Sequence, residues 1–169
     1  HLFEHMMFQG SGNAPKGMLD KLVEGNGGMM NGSTHPDFTD YFEVLPSNKL
    51  PVALWLEADR MRNLEITGAE LDTEREVVKE ERRVRFDNQP YGGVVEMLYE
   101  RAFTVHPYRH PTIGSMEDLD RATVADIRNF YDTYYVPNNA TVVIVGDFES
   151  RQAESLVKEY FGPLSAGRR

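Results

Sequence analysis

The chain has 169 residues, is 40% apolar, carries a net charge of −9 at neutral pH with a pI near 5.0, and has no cysteine. The acidic balance argues against a nucleic-acid surface, which needs a basic patch. Without cysteine there are no disulfides or thiolate metal sites, so any metal must be held by His and carboxylate.

The chain begins at His1-Leu2-Phe3-Glu4-His5, and a start at His rather than Met reads as a fragment or processed piece. Leu2, Phe3, Met6 and Met7 give this stretch an apolar side, and Gly10 to Gly12 end it. It reads as the later part of a helix whose start, with further strands, is expected before residue 1. Two histidines four apart lie on one face of a helix. Both imidazoles then reach a single Zn²⁺ in a partly open arrangement. Glu4, three residues after His1, is placed to take a proton from an attacking water and pass it to a leaving amine. This is the H-x-x-E-H order of the inverzincin motif, which still lacks a third protein ligand.

A short amphipathic helix is predicted over 16–24, closed by Gly25-Asn26-Gly27-Gly28. Strands are predicted over 29–34 and 40–45, joined by a turn at Thr34 to Asp37 that Pro36 fixes. A long helix over 49–64 is expected, capped by Ser47, with Pro51 in its first turn. Leu50, Ala53, Leu54, Glu57, Ala58 and Met61 follow the 3.6-residue period as one stripe, with Trp55 as a core anchor. Further helices are predicted over 69–86, densely charged, and over 92–102. A loop holding His106 and His110 follows, then a loose acidic capping box at Ser115 to Asp118. Thr123 caps a helix to Tyr134, residues 139–145 read as a buried strand, and a Ser-capped helix spans 150–161. The order predicts an α+β fold, helices on one face of a mostly antiparallel sheet, in a single domain over 1–169. No run reaches the roughly 18 apolar residues of a membrane span.

Zinc held by two histidines commonly takes a carboxylate third, and the charged helix offers Glu74, Glu76, Glu80 and Glu81. Glu74 and Glu81 share one face, Glu76 and Glu80 another, and spacing alone does not choose between them. The competing reading is a solvated face paired to Arg75, Lys79, Arg82 and Arg83.

His1-Leu2-Phe3-Glu4-His5-Met6-Met7-Phe8, followed by Gly10, resembles the active-site helix of the pitrilysin-type (M16) zinc metallopeptidases. Glu74-Arg75-Glu76-Val77-Val78-Lys79-Glu80-Glu81 is similar to that family's E-R-x-V-x-x-E-E/M stretch. The segments Leu54 to Met61, His106-Pro107-Tyr108 and Tyr134 to Ala140 look like family stretches too, so the likeness runs along nearly the whole chain. It implies a zinc endopeptidase in which His1, His5 and Glu81 bind one Zn²⁺, Glu4 is the general base, and Glu74 orients the ligands. It also implies that an extended peptide adds to the sheet edge at 29–34, along Asn31, Gly32, Ser33 and Thr34.

Members of that family close an N-terminal half over a C-terminal half, on one chain or in a partner subunit. This chain is therefore expected to bind zinc but, alone, to be a poor peptidase. The alternatives are a non-catalytic structural subunit of a paired assembly and a zinc-storage or sensing domain. Neither gives Glu4 a task. His35, His106 and His110 are read as loop residues. A bacterial periplasmic or secreted setting is the expectation for compartment.

Overall fold

Helix α1, Leu2–Met6, ends where the chain must turn sharply: Gly10 takes φ +115, and a Cβ there would meet the Lys16 backbone nitrogen at 2.6 Å. Only glycine makes that close approach without displacing backbone. In this computed structural model, which describes residues 1–167, the loop beyond is knitted to the end of the third helix. Gly12 N–H donates to the Asn63 carbonyl and Glu65 N–H to that of Gly10.

Helix α2, Met18–Glu24, starts two residues later than expected, because Gly17 takes a left-handed φ of +81. Strands β1, Met29–Thr34, and β2, Thr39–Val44, pair antiparallel from Met29 opposite Val44 to Thr34 opposite Thr39. His35 N–H donates to the Phe38 carbonyl and closes the turn. The register puts Gly32 opposite Tyr41. Helices α1 and α2 both lie against β1, and the fold is α+β.

Helix α3, Leu50–Asn63, carries Pro51 in its first turn, as expected. Ser47 does not cap it. It opens a 3₁₀ turn, Ser47–Lys49, and no side chain caps α3. The expected stripe is half right. Leu54 and Ala58 are buried, but so are Leu56, Asp59 and Arg60 on the other side. Leu56 packs with Ala14, Leu19 and Val23, and Trp55 is only partly buried at the margin of that cluster. Leu50, Ala53, Glu57 and Met61 instead line an open groove. A helix with two occupied sides defeats a one-stripe reading.

Helix α4, Gly68–Arg82, is capped by Thr67, whose hydroxyl accepts from Glu70 N–H, and passes into a π-helical turn, Arg83–Asp87. Leu71, Glu74 and Val78 are its buried residues. Leu71 and Val78 join Leu2, Phe3, Met6 and Met7 of the first helical turns in the main core. Helices α5, Val94–Ala102, α6, Met116–Arg121, α7, Val124–Tyr134, and α8, Ser150–Phe161, follow. Thr123 caps α7 with a full capping box, and Ser115 caps α6. Ser150 is the first residue of α8 and not its cap. Glu149 precedes it without a side-chain bond.

Residues 139–145 do not form the buried strand expected. Val142, Val143 and Val145 are 45%, 76% and 90% exposed, and the segment pairs with no strand among the described residues. An unbroken apolar run marks a strand only where a neighbour takes its N–H and C=O groups, and this segment lies against no strand edge among the described residues.

Asp59 is a buried hub. Its carboxylate accepts from Ser11 Oγ (2.5 Å), Asn13 Nδ2 (2.6 Å), Asn13 N–H (3.2 Å) and Asn63 Nδ2 (2.7 Å). Burial pushes the carboxyl up, but these bonds outweigh it and hold it below its ordinary value of 3.8. A depressed carboxyl stabilises the fold above its unfolded value, and that contribution is lost as pH falls through the folded one. Asp59→Ala is expected to cost about 3 kcal/mol in urea denaturation at pH 7 by stranding these donors. The deficit should narrow on acidification below about pH 4. A loss that stays constant into acid would place the effect elsewhere.

Candidate active site

The site is built where α1 crosses α4. His5 N–H donates to the His1 carbonyl, so the two residues stand one turn apart, with ring centroids 4.9 Å from each other. On α4, Glu81 follows the buried Glu74 and Val78 at helical spacing, so the core-facing stripe carries both carboxylates toward α1. Glu81 Oε2 lies 3.3 Å from His5 Nε2 and 3.5 Å from His1 Nε2. One ligand atom from each of His1, His5 and Glu81 lies within 4.8 Å of the others.

The neighbours set which atoms face inward. Glu74 Oε2 lies 3.1 Å from His5 Nδ1, and Glu74 Oε1 accepts from Gln9 Nε2 at 2.8 Å. A proton on His5 Nδ1 satisfies Glu74 and leaves the Nε2 lone pair toward Glu81. Arg85, in the π-helical turn, holds Glu81 Oε1 at 2.7 Å and leaves Oε2 to the histidines. Two imidazole nitrogens and one carboxylate oxygen thus converge, a donor set that fits a cation of zinc's type.

Glu76 and Glu80 point elsewhere. They are exposed and pair with Lys79 and Arg83. His35, His106 and His110 are exposed and take no part in the cluster.

Glu4 sits beside this cluster and accepts a hydrogen bond on Oε2 from the Thr34 hydroxyl of β1. Of the other β1 residues, Ser33 donates to Asp40 (2.6 Å) and Asn31 Oδ1 accepts from Gly32 N–H (2.9 Å). A methyl group built on Gly32 would stand 3.2 Å from the Tyr41 ring and 3.3 Å from Glu4 Cγ. A glycine here lets the strand run close past Glu4. Glu4, Thr34, Tyr41 and Tyr135 border an open groove of about 1740 Å³.

Three contributors escape a reading of the sequence. Gln9 lies one turn beyond His5 on the same face, a spacing that could have flagged it. The Tyr41 and Tyr135 hydroxyls meet at 2.6 Å across 94 positions, which no local signal announces.

Residues 1–116 match the sequence profile of Insulinase (Peptidase family M16), and residues 121–168 that of the Peptidase M16 inactive domain. His1, Glu4, His5, Glu74 and Glu81 all fall in the first segment. The chain is 39% identical over 164 residues to the zinc protease PqqE of Helicobacter pylori, covering 97% of this chain and 37% of that protein. It superposes on the crystal structure of a protease from Helicobacter pylori with a TM-score of 0.92 at 39% identity, covering 100% of this chain and 41% of that one. The first half of the periplasmic protease PqqL from Escherichia coli matches with a TM-score of 0.82 at 25% identity, covering 100% and 38%. The chain thus spans about two fifths of the length of these relatives.

Proposed function

Because the chain belongs to the insulinase family of peptidases, family M16, we propose that it is the zinc-bearing part of an endopeptidase acting on extended peptides or small proteins. The observation that carries this reading is the convergence of His1 Nε2, His5 Nε2 and Glu81 Oε2 one turn from an available carboxylate, Glu4. A non-catalytic subunit would have no task for that carboxylate.

His1, His5 and Glu81 would hold the metal. Bound there, Zn²⁺ supplies Lewis acidity, which polarises a peptide carbonyl and makes water a better acid. Glu4 takes the proton of the attacking water on the oxygen that Thr34 leaves free and delivers it to the departing amine. Thr34 keeps the carboxylate from rotating, and Glu74 keeps the His5 ring in place. The substrate main chain adds along β1 at Asn31 to Thr34, on the edge that β2 does not occupy. Backbone pairing of this kind accepts many sequences.

A second M16-like half or a partner subunit completes the enzyme in this reading, in a bacterial periplasmic or secreted setting. No helix of the described residues is long and apolar enough to cross a membrane. The test is the zinc content of the purified chain, with cleavage of an unstructured peptide measured before and after chelation. Zinc bound at one per chain, with slow cleavage, is the expected result. A folded chain that takes up no zinc overturns the reading, and cleavage at a complete enzyme's rate overturns the need for a second half.

A further inference from the structure

A buried charged cluster around Arg60 has no task in the mechanism. Arg60 of α3 is 3% exposed. Its Nη2 lies 3.1 Å from Glu43 Oε1 of β2, its Nε donates to Glu57 Oε2 at 3.1 Å, and Nη2 also bonds Glu57 Oε1. The guanidinium lies over the rings of Tyr41 (5.0 Å to the centroid) and Phe8 (5.4 Å).

We propose that Arg60 is a positioning residue for Glu4, acting through Tyr41 and strand β1; the inference rests on the peptidase reading above. The contacts run without a break. Arg60 fixes the Tyr41 ring, and the Tyr41 hydroxyl is tied to Tyr135. The ring also runs close past Gly32, directly opposite it in the hairpin, where an added Cβ would stand 3.2 Å from the ring and 3.3 Å from Glu4 Cγ. Two residues on, Thr34 grips the Glu4 carboxylate. Arg60 is itself anchored, since its carbonyl accepts from the Tyr131 hydroxyl of α7 at 2.9 Å.

Packing alone does not explain the cluster. Apolar side chains of similar volume commonly serve stability as well as a buried ion pair does, or better. The planar guanidinium adds direction, because its fork and its faces fix α3, β2 and the end of the first helical segment at set angles. Burial and the neighbouring Glu57 push Glu43 up to about 9, while Arg60 helps hold Glu57 low against its own burial.

The test is Arg60→Met in the zinc-loaded protein, together with whatever second half its activity needs. Three readouts are compared with the parent: zinc affinity, amide hydrogen exchange in β1 and β2, and the split between kcat and KM. Zinc affinity should stay within about twofold, because no metal-facing side chain touches Arg60. Hairpin amides should exchange at least about tenfold faster, while those of α1 and α4 hold. The kcat should fall about 10- to 100-fold with KM little changed, the scale of a displaced catalytic group. Unchanged exchange and kcat would overturn the proposal, as would a loss spread evenly over the whole chain. Should Arg60→Met not fold, Tyr41→Leu removes the ring from between Arg60 and Gly32 and must give the same pattern. If the parent binds zinc and cleaves nothing, the peptidase reading is what has failed, and hairpin exchange alone then decides whether Arg60 holds the hairpin.

Discussion

Glu4→Gln is expected to lower peptide turnover by about 10²- to 10⁴-fold, the usual contribution of a positioned general base, without loss of zinc. Glutamine keeps the shape of the side chain, and its carbonyl oxygen still accepts from Thr34. What it cannot do is receive a proton from water at neutral pH. The two measurements are kcat on an unstructured peptide and metal content, taken on the same preparation. Retained turnover would remove Glu4 from the mechanism. Loss of both zinc and turnover would mean that the carboxylate serves the metal site rather than the water. Thr34→Val gives an independent reading, since it removes the grip on Glu4 and leaves the carboxylate.

Glu81→Ala is expected to weaken zinc binding by more than the 10- to 100-fold typical of residues that only orient a ligand. Two imidazoles remain in that variant, with no carboxylate among the ligand atoms. Glu74→Ala is the contrast: it strips the partner from His5 Nδ1 and from Gln9, and should cost about 10- to 100-fold. The order of the two effects is the prediction, read by competition with a chromophoric chelator. Equal losses would leave ligand and support undistinguished. A larger loss in Glu74→Ala would reverse their roles. Glu76→Ala and Glu80→Ala, both on the exposed side of α4, should change nothing.

The two hairpin strands, the capped helix after Thr123 and the long α3 and α4 follow from local chemistry: alternation, capping residues and helical periodicity. The His1, Glu4, His5 set is local as well, being one turn of one helix, and is legible for that reason. Glu81 is not local. Spacing leaves Glu74, Glu76, Glu80 and Glu81 of α4 all open, and resemblance to a family chose among them. In the structure the choice follows from packing: Leu71, Glu74 and Val78 occupy the buried side, and Glu81 continues that line toward α1.

Residues 139–145 are the opposite case. Their apolar run reads as a strand, but a strand depends on a partner, and none of the described residues provides one. The double-sided α3 misled for a related reason, because its sequence records apolar and charged positions and not which neighbour each will meet. By itself, the sequence determined the local elements and the chemistry carried on the first helical turn. Only the tertiary structure decided which carboxylate faces the histidines, how Thr34 meets Glu4 across 30 positions, and how Arg60 comes to lie beneath the hairpin. Those contacts depend on how helices and strands cross in space, and chain-local periodicity holds no record of that crossing.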